Sequence, residues 1–210
     1  MFNGLVQLDE YLRVMPAIAA SWDITDSGRT YTFHLRQDVR FHDDPSFAGG
    51  QGRRVVAFDF VFSFRRILDP AVASPGRWIF NYTGHDRGEE VFSAPSDSTF
   101  VIRISKPFPP FLGLLAMQYC SVIPHEAVTF YGKEFRSHPV GTGPFMFRFW
   151  KEGIKLVMVK NPEYFEFENG KRLPYLDAVA ITFIPDKQTA LLDFLNGRLD
   201  FMSGIDPAYK

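Results

Sequence analysis

Cys120, His125 and His138 are residues whose types could support nucleophilic catalysis. A cysteine attacks a carbonyl group when a nearby imidazole accepts its proton, so the two side chains must meet in space. Cys120 stands within the apolar run Tyr-Cys-Ser-Val-Ile of residues 119–123, where a thiol usually packs as an inert core group. The sequence therefore favours a buried, unreactive thiol over a catalytic nucleophile.

Two further patterns contain metal-binding residue types. His42, Asp43 and Asp44 offer nitrogen and oxygen ligands, although the same three residues also suit a solvated loop after a strand. His125-Glu126 begins like the helix of a zinc protease, but Thr129 stands where the second histidine would be. We favour the loop reading and predict no metal, no cofactor and no enzymatic activity.

The stretch at residues 138–145 reads His-Pro-Val-Gly-Thr-Gly-Pro-Phe. Its two glycines and two prolines predict a stiff, sharply shaped turn. Glycine allows backbone angles that are closed to other residues, and proline fixes φ and removes a hydrogen-bond donor. Gly141-Thr142-Gly143 resembles the start of a dinucleotide loop, but Met146 replaces the next glycine and a strand-like run follows. We predict that this turn is structural and binds no phosphate.

Aromatic residues follow the turn at Ser74-Pro75-Gly76. Trp78, Tyr82 and His85 lie in a segment without clear periodicity. Aromatic side chains on loops can form a platform for a ligand, or they can pack as a small satellite core under the loop. Both interpretations remain open, and we take Trp78 and Tyr82 as the candidate ligand-binding residues.

Composition narrows the class of protein. The chain has 210 residues with a formal net charge of -1, which argues against a nucleic-acid binder that relies on a basic surface. Hydrophobic residues make up 46% and include 23 Phe, enough for a sizeable aromatic core. Cys120 is the single cysteine, so no intramolecular disulfide can form.

Short strands and helices alternate along the chain, which predicts a mixed α/β or α+β fold. Strict alternation predicts strands at residues 30–36, 99–105 and 154–160, and further strands are expected at 2–8, 119–123, 145–150 and 178–184. Residues 56–68 suit an amphipathic helix with Phe58, Val61, Phe62 and Ile67 on its apolar face. Other helical segments are expected at residues 16–22, 111–117, 124–131 and 186–196, the last with Ala190, Leu191, Phe194 and Leu195 facing inward.

Six motifs in order resemble the oligopeptide-, dipeptide- and nickel-binding family of ABC-importer solute-binding proteins (family 5). They are Pro-Ala-Ile-Ala-Ala-Ser-Trp at 16–22, Tyr-Thr-Phe-His-Leu-Arg-Gln-Asp-Val-Arg-Phe-His-Asp at 31–43, Ala-Phe-Asp-Phe-Val-Phe-Ser-Phe-Arg-Arg at 57–66, Val-Gly-Thr-Gly-Pro-Phe at 140–145, Asn-Pro-Glu-Tyr-Phe at 161–165 and Leu-Asn-Gly-Arg-Leu-Asp at 195–200. Each motif alone is weak, but the ordered set covers nearly the whole chain and is specific.

The resemblance implies a periplasmic binding protein-like lobe of the class II type, incomplete because family members are considerably longer. It implies that Met1 falls after the signal peptide and the first strand, and that Lys210 falls before the lobe that closes over the ligand. Residues 1–125 resemble the smaller side domain, and residues 126–210 resemble part of the main, hinge-connected lobe.

The function implied by the resemblance is capture of a peptide or similar small solute in the periplasm or cell envelope. Hinge closure of two lobes would enclose the solute, and the partners would be the permease subunits of the ABC transporter. Any membrane contact would go through the permease or a lipid anchor outside this chain, as in a lipoprotein. An alternative is the ligand-sensing domain of a transcriptional regulator that uses the same fold.

Two departures from the family pattern concern the local site. After Phe41-His42-Asp43 the family usually has a short turn, whereas residues 44–54 form a longer loop here. Oligopeptide binders place a ligand-facing aromatic directly after a segment like Ala73-Ser74-Pro75. Gly76 stands there in this chain and Trp78 follows two residues later, which weakens the implication of peptide specificity.

Overall fold

The computed structural model describes residues 1–84 and 90–205, and the mixed α/β class predicted from the sequence is confirmed. The strands are β1 Val6–Leu8, β2 Val14–Pro16, β3 Ala19–Thr25, β4 Thr30–Leu35, β5 Phe92–Ser96, β6 Thr99–Arg103, β7 Phe145–Lys151, β8 Lys155–Lys160, β9 Phe167–Glu168, β10 Lys171–Arg172 and β11 Ala178–Thr182. The α-helices are α1 Ala57–Leu68, α2 Phe111–Leu114, α3 His125–Tyr131 and α4 Lys187–Leu195. Short 3-10 helices include Arg77–Phe80 and Gln118–Cys120.

An antiparallel four-stranded sheet in the order β3-β4-β6-β5 organises the first half of the chain. Tyr31 pairs with Ile102 and Phe33 pairs with Phe100, so alternate residues of β4 and β6 point to the same face. Tyr31, Phe33 and Leu35 are buried, as the strict alternation predicted, and they share one apolar core with Ile102.

Helix α1 packs on that face and completes an aromatic core. The ring of Phe100 lies 5.6 Å from that of Phe60 and 5.5 Å from that of Phe64, measured between centroids. Phe64 also contacts Phe80 and Phe92. Tilted and edge-to-face ring pairs at these distances add stabilisation beyond the burial of apolar area.

The buried face of α1 differs from the predicted one. Val61 and Ile67 are buried as expected, but the rest of the stripe is formed by Phe60 and Phe64, while Phe58 is 54% exposed. Phe occupies every second position from 58 to 64 of this helix, so the sequence supplies more than one possible apolar stripe. Packing against the sheet selects the stripe with helical spacing that includes Phe60 and Phe64.

Two elements were predicted with the wrong type. Residues 16–22 form the end of β2 and the start of β3, not a helical turn, because the amides of Ala17 and Ala19 donate to the carbonyl oxygen of Leu5. Residues 119–123 were predicted as a buried strand. A 3-10 helix, Gln118–Cys120, occupies their start, and in the extended remainder the amide of Val122 donates to the carbonyl oxygen of Asn3.

The second half contains an antiparallel three-stranded sheet in the order β11-β8-β7, followed by α4. Asp186 caps α4 by accepting from the amide of Thr189, and Gly197 adopts a positive φ just past the end of the helix, as its stop signal predicted. The predicted inward face is wrong for this chain, because none of the residues of α4 is buried and Leu195 is 69% exposed.

The segment at residues 161–168 ties the two halves together. Tyr164 and Phe165 are buried in the same core as the first sheet, and the hydroxyl of Tyr164 accepts from the side-chain amide of Asn3 at 3.2 Å. Gln7 donates to Glu166 at 2.8 Å. None of the helices in the described part of the chain has the length and apolar character needed to cross a bilayer.

Candidate functional site

The N-terminal segment lies in an open groove made of two adjoining cavities. Their volumes are about 230 Å³ and about 360 Å³, and Phe2, Gln118 and Ser121 line both of them. Shared walls make the two cavities parts of one concave surface. A groove of this kind, bounded by apolar walls and a few polar groups, is the usual form of a small-molecule site.

The smaller cavity has mainly apolar walls at the end of α1. It is lined by Phe2, Ser63, Arg66, Ile67, Val72, Ser74, Gln118, Tyr119, Ser121 and Ile123. The hydroxyl of Ser63 is already engaged, since it donates to the carbonyl oxygen of Asp59 at 2.7 Å and accepts from the amide of Ile123 at 3.0 Å. The hydroxyl of Ser63 therefore stabilises the cavity wall through these backbone hydrogen bonds.

The larger cavity follows the N-terminal strand. It is lined by Phe2, Asn3, Gly4, Val6, Gln7, Ala17, Ala116, Met117, Gln118 and Ser121. The side chain of Asn3 is oriented by two partners, because its amide group donates to the Tyr164 hydroxyl and its oxygen accepts from the Thr142 hydroxyl at 3.1 Å. This edge of the groove is thus held by residues from the distant second half.

Close backbone packing positions the two sides of the groove. Val122 donates its amide to the carbonyl oxygen of Asn3 at 3.0 Å, which brings the first residues beside the segment that follows α2. A side chain at Gly76 would place its Cβ 2.5 Å from the Cβ of Tyr119. The absence of a side chain at Gly76 therefore leaves room for Tyr119 in the groove wall.

The glycine-rich turn packs against the same N-terminal segment. A Cβ at Gly143 would lie 2.6 Å from the carbonyl carbon of Met1, and one at Gly141 would clash with the carbonyl oxygen of Met1. The amide of Gly143 donates to that oxygen at 2.9 Å. Strand β7 begins at Phe145, so the turn presents no helix N-terminus to an anion. These contacts give the two glycines a structural reason, as predicted.

His42, Asp43 and Asp44 serve the loop that surrounds them. The amide of His42 donates to the carbonyl oxygen of Gly141, and its imidazole Nε2 lies 2.8 Å from the carbonyl oxygen of Gly143. Burial lowers the pKa of His42 to about 4, so the imidazole is neutral near pH 7. The carboxylate of Asp43 accepts from the amide of Gly52, and that of Asp44 accepts from the amide of Ser46 and the hydroxyl of Tyr131.

These bonds engage both carboxylates and the Nε2 of His42, whereas the Nδ1 of His42 is buried without a hydrogen-bond partner in the described part of the chain. Within residues 1–84 and 90–205, no three His, Cys, Asp or Glu side chains lie close enough together to hold a metal ion. The carboxylate of Glu126 is instead paired with Arg53. The Glu126 of the zinc-protease-like His125-Glu126 pattern is therefore part of a structural ion pair.

Cys120 is packed inside the core. The residue is fully buried, and burial raises the pKa of its thiol to about 12. Its Sγ lies 3.7 Å from the carbonyl oxygen of Leu114, to which the thiol can donate a weak hydrogen bond. A thiol with such a pKa carries almost no thiolate at neutral pH, so these surroundings do not activate a nucleophile.

Trp78 and Tyr82 lie beyond the two cavities. Trp78 belongs to the 3-10 helix Arg77–Phe80 and is 45% exposed. The ring of Tyr82 stacks on that of Phe108, with centroids 3.8 Å apart. Neither side chain lines the 230 Å³ or the 360 Å³ cavity, and the third aromatic candidate, His85, falls outside the described residues.

Sequence reasoning missed Phe2 and Gln118 as groove residues and read Tyr119 as part of a buried strand. Phe2 and Gln118 are more than a hundred positions apart, so no local pattern relates them. Gly76 was the available signal, because a glycine in place of a side chain can mark a close approach by another group.

Comparisons with known proteins agree on one group. The sequence profile described as "Bacterial extracellular solute-binding proteins, family 5 Middle" matches residues 13–210. The chain is 32% identical to the heme-binding protein A of Haemophilus influenzae and 31% identical to the probable di/tripeptide-binding protein 5 of Pseudomonas aeruginosa, over 96% and 94% of its length.

A solved structure agrees over the same span. The periplasmic binding protein DppA of Helicobacter pylori, solved in complex with the peptide STSA, superposes with a TM-score of 0.80 over 95% of this chain at 31% identity. This chain spans only 38% of the length of the two curated relatives and 40% of that structure.

Proposed function

The chain belongs to the bacterial extracellular solute-binding proteins of family 5, and we propose that it forms part of the solute-binding component of an ABC importer. The solute is a short peptide of two to four residues, or a solute of similar size. A similarity to a di/tripeptide-binding protein and to a structure with a bound tetrapeptide supports this class of ligand. Capture takes place outside the cytoplasmic membrane, in the periplasm or cell envelope.

The observation that carries this proposal is the groove around Phe2. It is open to solvent, mostly apolar in its smaller cavity, and built on backbone that is held by hydrogen bonds from both halves of the chain. An open groove offers one wall of a site. A second wall from the longer protein encloses the solute by hinge closure, and the closed form then docks on the permease subunits.

The domain assignment is part of the proposal. Residues 1–125 form the smaller side domain and residues 126–210 form part of the main lobe. The positions of the two sheets support this division, since β3 to β6 lie between residues 19 and 103 and β7, β8 and β11 lie between residues 145 and 182. The solute-binding role involves no covalent step, so we propose that the protein is not an enzyme.

Trp78 and Tyr82 remain proposed contacts for the solute. The exposed ring of Trp78 supports this role, because an aromatic surface gains free energy when a ligand covers it. Truncation of Trp78 to Ala is expected to weaken binding by about two- to tenfold, the equivalent of one aromatic contact. Phe130→Ala, at an exposed aromatic of α3, is the matched control.

Calorimetry on the full gene-encoded protein tests the groove itself. The probes are defined di- and tripeptides, and the variant Ser121→Trp fills the surface shared by the two cavities. We expect micromolar binding to the unmodified protein and at least a tenfold loss in the variant. Thr129→Trp, on the exposed face of α3, should leave binding unchanged. Unaltered binding to Ser121→Trp would show that the solute site lies elsewhere.

A further inference from the structure

Arg66 is a partly buried cation in the wall of the smaller cavity, at the last turn of α1. Throughout the described ranges, its guanidinium has neither an ion pair nor a hydrogen bond. The neighbouring Arg65 points to an exposed surface and lies 3.5 Å from Glu90, and Arg53 pairs with two carboxylates. Arg66 is therefore the arginine that the groove leaves available.

The surroundings of Arg66 favour an anionic partner from the solute. Ile67, Val72 and Ile123 give the cavity apolar walls, and Ser63 is already hydrogen-bonded to backbone groups. A guanidinium beside apolar walls is less well solvated than one in bulk water, so a carboxylate that reaches it makes a strong charge-assisted bond. The planar fork of the arginine side chain matches the two carboxylate oxygens.

The size of the cavity limits what approaches Arg66. A volume of about 230 Å³ is below the range of sites that enclose a whole drug-sized ligand, so this cavity accepts one end or one side chain of a solute. Tyr119 lines the same cavity, and its ring is brought there because Gly76 has no side chain. The available space thus combines an aromatic wall with an unpaired cation.

We propose that Arg66 binds a carboxylate of the captured solute in the smaller cavity, and that solutes of this protein therefore carry a carboxylate beside an apolar group. This assignment rests on the proposed function, since it names the chemical group that the solute-binding groove selects. The carboxylate comes either from a peptide C-terminus or from an acidic side chain, and both sources present the same two oxygens to the guanidinium.

Three probes separate the two sources in calorimetry on the full gene-encoded protein. Trialanine as the free acid carries only a terminal carboxylate, trialanine amide carries none, and the amide of Ala-Glu-Ala carries only a side-chain carboxylate. We expect the unmodified protein to bind one or both carboxylate probes about ten- to hundredfold more tightly than trialanine amide, the range for a hydrogen-bonded charge. The probe whose affinity exceeds that of trialanine amide identifies the source of the carboxylate.

Variants at neighbouring arginines assign the effect to one side chain. Arg66→Met removes the charge but keeps a long apolar stem, and it should bring every probe to the affinity of trialanine amide. Arg65→Met removes the same charge from the exposed neighbour and should change each affinity by less than about twofold. Arg66→Lys keeps the charge without the planar fork, so its affinities should lie between those of the two proteins.

The possible outcomes are distinct. Equal binding of all three probes to the unmodified protein, or an equal loss for all three in Arg66→Met, would overturn the role of Arg66 and leave the proposed function standing. A protein that binds none of the three probes would overturn the peptide function and this assignment together. If Arg66→Met does not fold, Arg66→Lys decides, because unchanged acid-to-amide selectivity in that folded variant contradicts recognition by the guanidinium fork.

Discussion

At the scale of single residues, Arg53 links a loop to two helices. Its guanidinium donates to both carboxylate oxygens of Asp59, at 2.8 and 2.6 Å, and also pairs with Glu126 at the start of α3. Asp59 on α1 is completely buried. A buried carboxylate without its cation is costly, so the arginine is expected to matter more than an exposed ion pair would.

Replacement of Arg53 by Met should lower the free energy of unfolding by about 3–5 kcal/mol, because Asp59 would stay buried without its partner. Arg54→Met is the matched control, since Arg54 is exposed and lies 3.9 Å from the exposed Asp97. That change should cost less than about 1 kcal/mol. Denaturant unfolding of both variants measures the difference, and equal losses would contradict the coupling to Asp59.

His42 predicts a dependence of stability on pH. Its pKa in the folded protein is about 4, below the ordinary value of 6.5, because the imidazole is buried. The unfolded chain therefore takes up a proton at a higher pH than the folded one does, and stability falls as the pH decreases from 6.5 towards 4. Between pH 7 and pH 5 this residue should account for a loss of about 2 kcal/mol.

The free energy of unfolding in guanidinium chloride, measured at pH 7 and at pH 5, tests the contribution of His42. In His42→Gln the loss between the two pH values should be smaller by about 2 kcal/mol, because the titrating group is gone. An unchanged slope in His42→Gln would rule out this residue as its source.

At the scale of elements, the pairing of β4 with β6 holds the main core. Phe33 is fully buried, stacks on Phe100 across the two strands, and faces the side on which α1 packs. Its truncation leaves a cavity that the surrounding aromatic rings cannot fill without moving. This contact therefore reports on the assembly of the sheet and the helix together.

Phe33→Ala should lower the free energy of unfolding by about 3–5 kcal/mol, the range for a large aromatic removed from a packed core. Phe58→Ala removes the same ring from the exposed face of α1 and should cost less than about 1 kcal/mol. Thermal melts of the two variants make the comparison. A melt of Phe33→Ala that matches the unmodified protein would contradict the assignment of this core.

At the scale of the whole molecule, the second half exposes many large apolar side chains. Exposed large side chains on or beside the second sheet and α4 include Phe149, Ile181, Phe183, Leu192, Leu195 and Phe201. They lie on both faces of the sheet, since Phe149 pairs with Val157 and Ile181 pairs with Leu156, the adjacent residue of β8. The chain spans 38% of the length of two curated relatives, and we propose that a segment corresponding to the rest of that length covers these side chains.

We expect the 210-residue chain alone to bind di- and tripeptides no more tightly than millimolar, and to self-associate. A solute enclosed on all sides buries about 70–90% of its surface, whereas the groove here contacts it from one side. A millimolar dissociation constant corresponds to only about 4 kcal/mol. Calorimetry on this chain and on the full gene-encoded protein, with the same peptides, compares the two. Micromolar binding by the chain alone would mean that its groove is already complete.

Local sequence determined the elements whose signals lie between near neighbours. Alternation fixed β4, β6 and β8 to within a residue or two, Gly197 marked the end of α4, and the two glycines of the 138–145 stretch marked a tight turn. The ordered motifs also identified the family before any contact was known. Each of these signals arises because backbone propensity and side-chain periodicity are set by residues a few positions apart.

Only the tertiary structure decided which surfaces meet. Residues 16–22 became strand because Leu5 accepts their amides, and α1 buries Phe60 and Phe64 because the sheet packs on that side. The groove is formed by Phe2 and Gln118, more than a hundred residues apart, and Arg66 lines it without a partner in the described chain. Contacts of this kind depend on how the whole chain packs, which no local periodicity encodes.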